Sequence, residues 1–305
     1  MKHPAWLAPV FLATVFTSAV AADGNATIRA AAGPSEIVIK TTSRLAGAID
    51  SLTWNGREFI NSFDHGRQLQ SASNLDAGTP ITAETFNPTE AGSRDDGVGG
   101  TSSSELLELH ASANELTTTS KMAFWLAPGE KSGPHLAKNT TVLSNHLLTK
   151  KVTIGCQDLP NVISYDVTFT LPSDERHTHA VFEALTGYMA PEFEEFFQFN
   201  PVSEELELLS DGPGEIPFPI VFAMSDGSHA MGIYAPPQPA PNTTGPTFGR
   251  FRFEAQKVVK WNCVFRVGGD PTVPAGTYSY RMFVIVGDLD TVCTSMRALN
   301  AKFGG

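Results

Sequence analysis

The stretch "ISYDVTFTLPSDERHTHAVFEALTGY" (Ile163–Tyr188) decides the fold class. In its first part Ile163, Tyr165, Val167, Phe169 and Leu171 alternate with polar residues. An apolar period of two is the mark of a strand with one face turned to a core. "PSDER" (172–176) interrupts the pattern as a turn. Alternation then resumes, with Thr178, Ala180, Phe182 and Ala184 on the side expected to face the core and His177, His179, Val181 and Glu183 on the other.

Short runs of the same kind recur from "EIVIK" (36–40) to "YSYRMFVIVG" (278–287), separated by turn residues. Asn55-Gly56 and Asp226-Gly227 are hairpin signals, because both central residues of a type I′ turn need positive φ. Only "DLDTVCTSMRALNAKF" (288–303) has helical spacing, with Val292, Met296, Leu299 and Phe303 on one stripe and Asp288 or Asp290 available as cap. The expected fold is all-β: a large antiparallel β-sandwich with one C-terminal helix, forming a single domain over 23–305. Residues 71–104, rich in Ser, Thr, Gly and Asp, read as a long loop beside a site.

The first 22 residues have the order of a secretory signal peptide: Lys2, an apolar run, then small residues up to Ala22. The expected location is therefore secreted or periplasmic, with no membrane span. The net charge of −11 excludes nucleic acid and anionic lipid as partners held by long-range attraction. Cys156, Cys263 and Cys293 are too widely spaced for a metal site, and an exported chain would oxidise one pair into a disulfide. Asn25, Asn139 and Asn242 head glycosylation sequons, which a eukaryotic host would use.

"IVIKTTSRLAGAIDSLTWNGREFI" (37–60) resembles the opening of galactose-mutarotase-like proteins, and "ISYDVTFTLPSDERHTHAVFEA" resembles the paired strands of their β-supersandwich. The resemblance implies a carbohydrate as ligand. It does not carry over the mutarotase catalytic residues, since Asn145-His146 stands before the strand that should precede such a pair.

Four groups of residues have chemistry to offer. His177, His179 and Glu183, on one strand face, make a candidate set for a divalent metal. In "NSFDHGRQLQSA" (61–72), His65 is a candidate for proton transfer, Arg67 for holding an anionic ligand, and Asp64 for orienting either. A basic sheet face is expected from Arg250, Arg252 and Glu254 alongside Lys260, Asn262 and Arg266. "GYMAPEFEEFFQFNP" (187–201) offers Tyr188 and four phenylalanines as stacking surfaces, with Glu192, Glu194 and Glu195 as carboxylates.

Together these favour a carbohydrate-active protein, foremost a lyase-like enzyme on an acidic polysaccharide. There Arg67, Arg250 or Arg252 would neutralise the uronate, and His65, His177 or Tyr188 would move protons. The alternatives are a non-catalytic glycan-binding protein using the same face, a glycoside hydrolase built on the Glu192–Glu195 region, and a metal-dependent oxygenase centred on His177 and His179.

Overall fold

A computed structural model of the protein describes residues 23–304 apart from Gln157, and the side chains of all of these but Asp270 and Pro271. The signal peptide expected at residues 1–22 lies outside the described residues. Among the described residues no helix is long and apolar enough to cross a membrane.

Among the described residues, hydrogen bonding joins 19 antiparallel strands, folded so that apolar faces meet, and two short strands pair separately. The two strands of the opening stretch, Leu159–Leu171 and His177–Met189, do not pair with each other. The first pairs with Leu143–Cys156 and Gly276–Gly287. The second pairs with Leu69–Leu75 and Val258–Val273. They lie in facing layers, and "PSDER" crosses the gap between them. Aromatic rings fill that gap: Phe169 meets Phe182 at 4.8 Å between centroids, and Phe265 stacks on Tyr280 at 4.2 Å. Such rings bury large apolar areas and fix the spacing of the sheets.

The helix Leu289–Phe303 packs on the outer face of the other layer, where Val292, Met296 and Leu299 meet Val162, Phe283 and Ile285. Asp288 caps it, accepting from the Thr291 amide at 2.7 Å. Asn55 and Gly56 both have positive φ, as their hairpin turn requires.

Residues 71–104 are not a free loop. Strand Leu69–Leu75 takes their beginning, and Pro88–Thr89 pairs across to the Glu115–Phe124 strand. Glu90 is fully buried and receives Lys150 Nζ at 2.5 Å and the Ser71 amide at 3.1 Å. Further on, Ser93 and Asp96 form a reciprocal capping box around a short 3₁₀ turn. The segment is polar because its polar groups are spent on holding it to the sheet.

The disulfide expected from the cysteine count is not formed: Cys156, Cys263 and Cys293 are free. Cys263 alternates into the main core beside Trp261 and Phe265, whereas Cys156 lies at the edge of the separate core under the helix. Burial pushes all three thiols above their ordinary pKa. Of the sequons, Asn139 is buried, and its Nδ2 already donates to Leu126 O and Thr141 O, which leaves it unsuited to carry a glycan. Asn25 and Asn242 are exposed.

Candidate functional site

Strict alternation along His177–Met189 would put Glu183, Leu185 and Gly187 on one face and hide Tyr188 with the core. The strand instead slips register between Glu183 and Leu185 against Val258–Val273, and between Glu183 and Thr186 against Leu69–Leu75. The irregularity adds a residue and reverses the phase, so Ala184 and Leu185 are both buried in succession. Glu183, Thr186 and Tyr188 consequently line one cleft.

The neighbouring strand supplies the cation. Tyr188 stands opposite Lys260 and Thr186 opposite Asn262. Lys260 Nζ, Asn262 Nδ2 and Thr186 Oγ1 reach the same carboxylate oxygen, Glu183 Oε2, at 3.2, 3.3 and 3.0 Å. Among the described residues no donor is bonded to Oε1, and the Glu183 side chain keeps 21% of its exposure. Lys260 also lies 5.3 Å from the centroid of the Tyr188 ring and 5.4 Å from that of Phe251.

Burial alone would raise the Glu183 pKa, but Lys260 and the three hydrogen bonds overcome it and hold the carboxyl below its ordinary range. Burial likewise works to lower Lys260, and the Glu183 charge reverses this and raises it. Tyr188 is raised by burial against the opposing field of Lys260, so its hydroxyl keeps a proton at neutral pH. The cleft thus holds an ionised carboxylate, an ammonium and a protonated phenol.

The other wall comes from the 61–89 region and from Trp125. Gly66, Gln70, Asn74 and Asn87 line the cavity, whose volume is about 230 Å³. A Cβ on Gly66 would sit 2.7 Å from Trp125 Cη2, so the glycine is what lets the indole lie against this wall. Gln70 is fixed at both ends, donating to Gly66 O and accepting from the Ala91 amide.

Of the candidate residues, Tyr188, Glu183, Lys260 and Asn262 are brought together here, and the others are elsewhere. His65 is 1% exposed, with Nδ1 2.9 Å from Gly97 O and Nε2 3.0 Å from Arg44 O. Both ring nitrogens are committed to backbone carbonyls, and the ring pins a turn without lining the cleft. Arg67 pairs with Asp64 at 3.2 Å and covers the Phe63 ring, so this ion pair closes the turn.

The basic face does not form. Arg250 stands opposite Trp261 in the sheet and Phe251 opposite Lys260, which puts Arg250 and Arg252 on the face away from Lys260 and Asn262. Arg250 binds Ser210, while Arg252 binds Glu194 O and Asp211. Glu254 is largely exposed in a 3₁₀ turn beyond the strand. Phe193, Phe196 and Phe199 are core residues, which removes them as stacking surfaces.

His177, His179 and Glu183 do not share a face either. A register shift between His177 and His179 turns the first inward and leaves the second exposed. His177 Nε2 meets Glu175 Oε2 at 3.0 Å, and His146 Nε2 meets the same oxygen at 2.7 Å. His179 instead lines an open groove of about 830 Å³ with Arg176 and Arg266, where Asp76 is already bonded by the Thr178 and His179 amides. That groove is larger, but both oxygens of its carboxylate are already taken by Thr178 and the His179 amide.

Sequence reasoning missed Trp125, Lys260 as the partner of Glu183, and His146. The visible signals were polar residues at core-phase positions: His146 and Lys150 alternate with Leu148 and Val152, all buried.

No protein-family model matches the chain, and no curated protein matches its sequence. Among solved structures the fold is similar to a Klebsiella pneumoniae protein provisionally named an aldose 1-epimerase (12% identity, 92% of each chain, TM-score 0.45). It is also similar to an alpha-galactosidase from Lactobacillus brevis (12% identity, TM-score 0.44), with 87% of this chain matching 40% of that one. A heparan sulfate lyase from Pedobacter heparinus matches at 11% identity and TM-score 0.43, over 92% of this chain and 37% of its own.

Proposed function

We propose that the protein is carbohydrate-active and that the Glu183–Tyr188–Lys260 cleft receives a sugar ring. The observation that carries this reading is the convergence, in one small cavity, of an indole, a protonated phenol and a carboxylate with one oxygen unused by the described residues. The apolar face of a pyranose stacks on an aromatic ring, and its hydroxyls are matched by carboxylate, amide and ammonium groups.

The reaction this geometry favours is a proton transfer of the lyase type. Glu183 Oε1 is the acceptor, Tyr188 the donor to the leaving oxygen, and Lys260 the cation beside a uronate carboxylate. Lys260 takes here the part that Arg67, Arg250 and Arg252 were expected to play. An acidic polysaccharide, recognised outside the cytoplasm after removal of residues 1–22, remains the substrate class proposed. Non-catalytic glycan binding is the second reading, favoured by how fully Glu183 Oε2 is already satisfied.

A panel of uronate-containing and neutral oligosaccharides, assayed for binding by calorimetry and for unsaturated product by ultraviolet absorbance, tests the proposal. Lyase action predicts product from uronates, with turnover in Tyr188→Phe falling by roughly 100-fold or more. Binding without product supports the second reading. No binding by any member of the panel refutes both.

A further inference from the structure

The geometry points to a second site: His146, Glu175 and His177 form a binding centre for a divalent transition metal of the zinc class. It is separate from the sugar cleft and does not rest on the reading given to that cleft.

Three segments bring the ligands together. His146 lies near the start of the Leu143–Cys156 strand, Glu175 in the turn that crosses between layers, and His177 at the start of the His177–Met189 strand. Their ligating atoms lie within 4.8 Å of one another. The contacts of 2.7 and 3.0 Å from the two Nε2 atoms to one carboxylate oxygen approach the edge length of a coordination shell with bonds of about 2.0–2.2 Å.

The surroundings suit such a centre. His177 Nδ1 lies 2.5 Å from Asp76 O, a carbonyl that can only accept, so Nδ1 carries a hydrogen. In the neutral ring that assignment leaves the Nε2 lone pair aimed at the cluster, the usual outer arrangement of a metal-binding histidine. Phe86 packs against both imidazoles, at 6.3 and 5.8 Å between centroids, and Phe124 against that of His146 at 6.3 Å. The two histidine side chains are 2% and 4% exposed, while Glu175 at 23% leaves a way in from solvent.

Two imidazoles and one carboxylate select zinc, iron, nickel or cobalt over calcium and magnesium, which prefer all-oxygen shells. A three-ligand set keeps at least one coordination position for water or a ligand.

The full chain, stripped with a chelator and returned to metal-free buffer, should be titrated with zinc chloride by calorimetry and loaded with cobalt(II) for visible absorption. One equivalent of zinc is expected to bind, with cobalt d–d bands of a four- or five-coordinate site and a rise in thermal midpoint on metal addition. His146→Gln should weaken zinc by more than about 100-fold, beyond the loss of an outer partner, and remove the cobalt bands. Glu175→Gln, at a partly exposed position, is the second variant should His146→Gln fail to fold, and it should weaken zinc in the same way. Zinc binding equal in wild type and in a folded variant would assign it to exposed residues such as His110 and His135 and overturn the proposal. So would the absence of any stoichiometric binding, leaving the cluster an ion pair alone.

Discussion

At Glu183, among the described residues, one carboxylate oxygen takes every protein donor and the other takes none, a division that sets both stability and chemistry. Its depressed pKa means the folded state gains stability above the ordinary carboxylate pKa and loses it as pH falls through the lower folded value. Lys260 is raised, so its share is complete below the ordinary lysine pKa and is lost as pH rises through the raised one. Glu183→Gln should therefore lower the thermal midpoint at neutral pH and flatten its decline in acid. Melting curves from pH 2 to about pH 7 would show this, and a parallel decline in both proteins would contradict it. Gly66→Ala tests the opposite wall. The added methyl must displace Trp125, so glycan binding should weaken and tryptophan emission shift, with little change in stability.

The working element is the His177–Met189 strand with its two irregularities. One turns His177 into the core towards His146 and Glu175, and the other brings Thr186 and Tyr188 to the face of Glu183. Deleting Leu185 would remove the extra residue and restore plain alternation in register with both neighbours, leaving Glu183, Thr186 and Tyr188 on one face. The expected result is a stability loss of about 2–5 kcal/mol from the missing buried leucine, with glycan binding kept by the folded fraction, read by circular dichroism and calorimetry. The C-terminal helix answers to simpler rules. Asp288→Ala should cost about 1 kcal/mol through its cap, and Met296→Ala about 2–5 kcal/mol through the cavity left between helix and sheet. Denaturant titration would check both, and a larger loss at the cap than at the core would be the contrary outcome.

For the whole molecule, the Lys150–Glu90 pair ties the 71–104 segment to the sheet with both side chains fully buried. Glu90→Ala would leave an ammonium without its counter-charge and is expected to cost about 3–5 kcal/mol. Replacing both residues with apolar side chains of similar volume should recover much of that loss. Because Ala83, Glu84, Asn87 and Thr89 of this segment line the cleft, Glu90→Ala should also weaken glycan binding by more than the unfolded fraction explains. Binding titrations corrected for folded fraction would separate the two effects.

The sequence by itself determined the strand class, the core phase of most strands, the Asn55-Gly56 turn and the helix with its stripe. These follow from periods of two and 3.6 that are local properties of the chain. It also placed Lys260 and Asn262 on one face opposite Trp261 and Cys263, as the structure has them. Three matters were decided only by the tertiary structure: which strands face each other across the core, where alternation reverses, and which polar side chains meet. A bulge is fixed by the register of both neighbouring strands, so nothing within "FEALTGY" alone announces it. Arg250 and Lys260 fall on opposite faces because the pairing of their strands sets Arg250 against Trp261. The His146–Glu175–His177 cluster and the Gly66–Trp125 contact join residues far apart in the chain. Loop closure and core packing select such contacts, and local propensity does not encode them.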